Sequence, residues 1–266
     1  MAKESGNRAR GKDPQVTGFI SELKEQDEEI SYKIAESLKI IGSRAKLSTL
    51  TRILLISLKD DNAQVRQAAA KGLRWVAWNG SGELLSGSED LKTIIEATGD
   101  RDSIVRREAV STLGFLGNWA KEVSHAGGIE RLLELLGDTD LVIKKKAVWA
   151  LGEMIMGGEA GLILRERGYS LLLRTASQGG VALFKEIELT LRKVLESSSG
   201  TFLIPMLIGT AGNSELKKLR LLAVRVLAAN PSSEVLAALE KVVERDRDPD
   251  VAETADIILQ RAQHRH

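Results

Sequence analysis

Three of the four tryptophans in this 266-residue chain, Trp75, Trp78 and Trp149, share one periodic position with Phe115 and with the charged residues Lys71, Glu108, Lys146 and Glu153. Aromatic residues make up only 4% of the sequence, so their concentration in one stretch is a chemical signal. Rings set among charges suit the capture of another chain, because Trp joins a large apolar face to a polar N–H and is enriched where binding energy concentrates. The competing reading is packing, in which large rings fill gaps between neighbouring helices. Groups for catalysis or metal binding are scarce. The histidines are His125, His264 and His266, and none is spaced with other ligands as a metal site requires. Cysteine is absent, which excludes disulfides and thiolate metal sites. No catalytic residue, metal ligand or cofactor is therefore expected.

Basic clusters invite a nucleic-acid reading: Arg106-Arg107, Lys144-Lys145-Lys146, and Lys217-Lys218 with Arg220. Against it, 38 basic residues face 37 acidic ones, and a net charge of +1 supplies no whole-molecule field for phosphate. Solvated or structural roles are the expectation for these runs.

The elements that must position these residues follow from a repeated frame, apolar-x-x-x-(Ile/Ala)-x-x-small-Leu. It reads Ile30, Ile34, Ser37, Leu38; Val65, Ala69, Gly72, Leu73; Val105, Ala109, Thr112, Leu113; and Ile143, Ala147, Ala150, Leu151. Further copies are Leu183, Ile187, Thr190, Leu191; Leu219, Ala223, Val226, Leu227; and Val251, Ala255, Ile258, Leu259. Offsets of zero, four, seven and eight fall on one face of a helix, so each copy marks a helix with one buried stripe. The copies lie 35, 40, 38, 40, 36 and 32 residues apart, a period of stacked helical repeats. The aromatic and charged residues above occupy offsets three, six, ten and thirteen, a second stripe about 130° around the helix from the first.

A second amphipathic segment precedes each frame, at residues 16–23, 47–58, 91–97, 129–136, 169–174, 202–208 and 235–243. Pairing gives seven helical hairpins. Pro205 must start its helix or kink it, and Gly42, Gly99, Gly117, Gly137 and Gly157-Gly158 stand where left-handed caps are expected. Residues 1–14 are polar and are expected to form a disordered tail, leaving 15–266 as a single solenoid domain. The longest apolar stretch, 202–208, is far too short to span a bilayer, and no N-terminal apolar run has the form of a signal peptide. A soluble, cytoplasmic protein is expected. In the turns, Asp60, Asp100 and Asp138 precede Arg66, Arg106 and Lys144 by six residues each. Such an Asp can accept backbone hydrogen bonds at a helix start, while the base reaches an Asp of the adjacent repeat. A structural ladder results.

On these residues the chain resembles the HEAT and armadillo repeat families over residues 15 to 262. The stretch from Gly127 to Gly152 is similar to armadillo repeats, and Asp-Arg-Asp-Pro-Asp-Val from Asp246 is similar to a HEAT turn. Armadillo's extra short helix would fit at 120–125 and 162–167. The resemblance implies an all-α, right-handed superhelix of about seven repeats, with the second stripe lining its concave groove. Trp149 within Trp-Ala-Leu-Gly resembles the Trp ladder of the importin-alpha family, but Glu153 stands where that ladder carries Asn. The resemblance thus implies peptide binding and not nuclear-signal recognition. The expected function is a non-enzymatic scaffold holding a peptide or protein partner through Trp75, Trp78, Phe115, Trp149, Lys71, Glu108, Lys146 and Glu153. The alternatives are a nucleic-acid-binding solenoid, possibly similar to HEAT-like DNA glycosylases, and a HEAT-like bilin lyase. The His-Glu pairs of HEAT-like deoxyhypusine hydroxylases are absent. The oligomeric state is not readable.

Overall fold

A computed structural model of the chain describes residues 44–158, 167–197 and 200–264. The expected tail, the first hairpin, Gly42, the second extra helix apart from Arg167, and His266 lie outside the described residues.

Thirteen α-helices follow one another among the described residues. They are α1 (Arg44–Ser57), α2 (Ala63–Trp78), α3 (Ser88–Ala97), α4 (Ser103–Phe115), α5 (Ala120–His125), α6 (Gly128–Glu134) and α7 (Leu141–Met156). The second half adds α8 (Tyr169–Gln178), α9 (Val181–Glu196), α10 (Leu203–Asn213), α11 (Lys217–Leu227), α12 (Ser233–Arg245) and α13 (Pro249–Gln263). Each frame helix pairs with the helix before it, giving the hairpins α1/α2, α3/α4, α6/α7, α8/α9, α10/α11 and α12/α13. The short α5 is the extra helix expected at this place. Frame helices also pack on one another in the order α2, α4, α7, α9, α11, α13, and they do so more extensively than the outer helices do. The frame helices are thus the more closely packed of the two rows, here called the inner row.

The buried stripe explains this packing. Leu73, Leu113, Leu151, Leu191 and Leu227, all at the last frame position, are buried. Leu259, on α13, the last helix among the described residues, is only half-buried. The small residue before that Leu lets helices approach: a Cβ on Gly72 would press on the Leu54 methyls of α1 at 2.9 Å. Pro205 lies in the first turn of α10, where its missing N–H costs no helical hydrogen bond, and so it starts the helix.

Three sequence expectations need correction. Gly158 (φ 93°) takes the left-handed conformation, whereas Gly99, Gly117, Gly137 and Gly157 do not; Gly127 (φ 86°) does so at the start of α6. The outer segment at 129–136 is not one helix, since its last turn tightens into a 3-10 turn at Leu135–Gly137. The helix caps are not Asp60, Asp100 and Asp138 but the residues two places later. Asn62, Asp102, Asp140 and, in the last repeat, Asp248 accept from the N–H groups of Gln64, Ile104, Val142 and Asp250 at 2.8–3.0 Å. The preceding acids, with Asp246, brace the turn by accepting the N–H of these capping residues at 2.7–2.9 Å.

Candidate functional site

The turn edge of the array carries the ladder. Arg66 forks onto both carboxylate oxygens of Asp100 in the next turn (2.7 and 3.0 Å), and its remaining nitrogen donates to the carbonyls of Asp60 and Asp61. Arg220 repeats the arrangement, forking onto Asp246 at 2.8 and 3.0 Å and donating to the carbonyls of Ser214 and Glu215. Arg106 donates to the Asp100 carbonyl and lies 3.8 Å from Asp138. Burial pushes the Asp100 and Asp246 carboxyls up, but the arginine forks and the turn N–H groups outweigh it and hold both below the usual carboxylate range. Their hydrogen bonds raise the Arg66 and Arg220 pKa values further. Lys144 cannot extend the ladder, because the next inter-helix turn is Gly179-Gly180. These groups bind the repeats to one another.

The inner face is also laced across repeats. Glu108 of α4 pairs with Arg74 of α2, the preceding frame helix. Lys146 donates to Ser111 Oγ at 2.6 Å, and burial, with Arg74 and Arg107 nearby, lowers its pKa against the pull of Glu108. Glu153 accepts from Lys193 at 2.6 Å. Arg107 meets Asp140 at 2.6 Å and Lys145 meets Glu186 at 3.1 Å. The predicted polar residues Glu108, Lys146 and Glu153 are thus engaged between repeats; Lys71 is half-buried on α2.

The aromatic residues divide in two. Phe115 and Trp149 meet edge-to-face, 5.0 Å between centroids at 68°. The Trp149 ring lies where a Cβ of residue 114 would stand, so Gly114 makes room for it. Both rings are half-buried and pack on the core. Trp75 is half-buried against the core one repeat earlier, while Trp78, the last residue of α2, is 61% exposed. Trp119, outside the stripe, lies over Gly82 in the same manner as Trp149 over Gly114.

Sequence reasoning missed a second exposed apolar surface. Leu189 (64% exposed) and Val181 (72%) stand on α9, and Ile257 (40%) on α13. The signal was present, since Leu189 and Ile257 hold the same frame offset, six, as Trp149. Among the described residues no three His, Cys, Asp or Glu side chains converge as a metal site, and no helix is long and apolar enough to cross a membrane.

A protein-family model described as HEAT repeats matches residues 91–167. Among solved structures the chain is similar to a designed armadillo repeat protein, at TM-score 0.53 and 19% identity, covering 79% of this chain and 98% of that one. It is similar to a designed armadillo repeat protein in complex with the peptide (KR)4, at TM-score 0.56 and 19% identity with the same coverage. An engineered protein matches at TM-score 0.58 and 20% identity, covering 89% of this chain and 65% of that chain. None of the curated proteins matches it. At such identities the structural likeness concerns the fold alone.

Proposed function

Because the chain is an α-solenoid of the HEAT and armadillo repeat type, we propose that it is a non-enzymatic scaffold whose inner face holds an extended peptide or protein segment. The observation that carries this reading is the state of the inner face: its charged groups are largely paired between repeats, while Trp78 and Leu189 stand over 60% exposed. Exposed apolar side chains on a row of otherwise satisfied helices mark an interaction surface. A peptide-binding relative of the same fold, the designed protein in complex with (KR)4, supports it. In this reading Trp78 is the direct anchor, and Trp75 with Lys71 flanks it. Phe115 and Trp149 offer ring edges, while Glu108, Lys146 and Glu153 hold the helices in register and contribute only their outer oxygens or protons.

The nucleic-acid alternative loses its main support. Apart from Lys144, the basic clusters are spent on Asp138, Asp140, Glu186, Ser111, Asp248, Asp250 and Asp246, and Lys218 lies over Phe184 while donating to a backbone carbonyl. The test is co-purification from native cells followed by binding of the recovered partner to Trp78→Ala. Truncating such an anchor should cost about 2 kcal/mol or more of affinity. Undiminished binding by Trp78→Ala, or recovery of nucleic acid whose binding collapses with salt, would overturn the proposal.

A further inference from the structure

The face of α9 combines exposed apolar side chains, Val181 and Leu189, with cations that have no carboxylate partner among the described residues. A shallow hollow of about 450 Å³ lies beside α9, lined by Val181, Phe184, Lys185, Glu188, Leu189, Arg192 and Arg225. Its charged lining is three cations and one carboxylate. Glu188 is held by Arg225 only at 3.6 Å, and among the described residues Lys185 and Arg192 make no ion pair or hydrogen bond. Lys218, 5.0 Å from the centroid of the Phe184 ring, adds a fourth positive charge at its edge. Elsewhere on the row the carboxylates Glu108 and Glu153 are each taken by a base of a neighbouring repeat, and on α9 itself Glu186 is taken by Lys145 of α7. Glu196, at the far end of α9, is exposed and bounds the cationic strip beyond Arg192.

We infer that this hollow takes an acidic, leucine-type segment of the partner, its apolar side chains against Val181 and Leu189 and its carboxylates toward Lys185, Arg192 and Arg225. The inference rests on the groove reading above and names the partner's chemistry. Free cations flanking exposed apolar side chains match alternating acidic and apolar residues, since unpaired charge selects its opposite and like charge is repelled. The same argument disfavours a lysine- or arginine-rich segment, because the face offers few carboxylates that are not already engaged. Packed helices lie about 10 Å apart and an extended chain rises about 3.3 Å per residue, so about six residues reach from α7 across α9 to α11 and a peptide of about nine overhangs both ends.

The test uses the full chain and fluorescein-labelled peptides of about nine residues that carry leucines separated by glutamates, by lysines or by serines. The glutamate peptide should bind tightest, with affinity falling as salt rises. Lys185→Glu with Arg192→Glu should weaken it at least about tenfold, as should Val181→Ser with Leu189→Ser. All four side chains are exposed, so unchanged thermal unfolding serves as the control for folding. Tighter binding of the lysine peptide, indifference of the glutamate peptide to these substitutions, or no binding of any peptide would overturn the assignment. Lysine or serine peptides that bind and are lost on Trp78→Ala would sink the acidic partner while leaving groove capture standing. The groove reading fails separately, if the partner recovered from cells binds Trp78→Ala as well as the unaltered chain.

Discussion

Trp149→Ala separates packing from capture at the centre of the array. Its ring fills the space that Gly114 leaves open and meets Phe115 edge-to-face at 5.0 Å. A fully buried Trp→Ala truncation costs about 3 to 5 kcal/mol. Trp149 is half-buried, which reduces the transfer part to about half, and the lost aromatic pair adds about 0.5 to 1.5 kcal/mol. The expected loss is about 2 to 3 kcal/mol, or roughly 5 to 10 °C in midpoint for a chain of this size. Urea and thermal unfolding followed by far-UV circular dichroism provide the measurement, with Trp78→Ala as the reference for an exposed ring, expected within about 0.5 kcal/mol of the parent. A cycle with Phe115→Leu should return a coupling of about 0.5 to 1.5 kcal/mol. A Trp149→Ala midpoint equal to that of Trp78→Ala, with no coupling to Phe115, would refute the packing argument and make the ring a pure contact surface.

Gly114→Ala should push the Trp149 ring off its seat and cost about 1 to 3 kcal/mol, visible as a shift in tryptophan fluorescence together with a lower midpoint. Asp246→Ala strands the buried Arg220 guanidinium and releases the Asp248 N–H, so chemical denaturation should report a loss of about 3 to 5 kcal/mol. The acid limb follows from the depressed carboxyls of Asp100 and Asp246. Their contribution is full above the unfolded carboxylate pKa of about 4 and is lost as pH falls through the lower folded values. Stability should therefore drop below about pH 4, and Asp100→Asn should flatten that slope; an unchanged slope would dissociate these carboxyls from acid unfolding. Leu151→Ala, fully buried on α7, should cost about 2 to 5 kcal/mol, and an unmoved midpoint would contradict the frame assignment there.

The fold was legible because its determinant is local and periodic. Val105, Ala109, Thr112 and Leu113 recur with the helical period, and all four are buried in α4. The ladder was legible in outline, since Asp and base keep a constant spacing in successive turns. Its cap residues were missed because each turn carries a second Asp or Asn, and that residue, two places on, reaches the first free N–H groups of the helix. The candidate site was legible by position and not by burial. Frame offset alone cannot tell that Trp149 leans across to α4 while Trp78 points to water, because that depends on Gly114 in another repeat. Nor can it tell that Glu153 is taken by Lys193, forty residues away in sequence. Charge pairing between repeats is a property of stacking, and a single helix does not encode it.

The missing rung at Gly179-Gly180 bears on how the array yields to load. On either side of it, forked Arg–Asp pairs tie one turn to the next, Arg66 to Asp100 before it and Arg220 to Asp246 after it. At the gap no Arg–Asp fork joins the turn edges of α7 and α9, and their coupling rests on the ion pairs Lys145–Glu186 and Lys193–Glu153 and on packing such as Thr190 against Gly152. A solenoid behaves as a spring whose stiffness is set repeat by repeat. Where the clasp is absent, between α7 and α9, resistance to bending falls to single ion pairs and helix packing in place of a forked turn-to-turn tie.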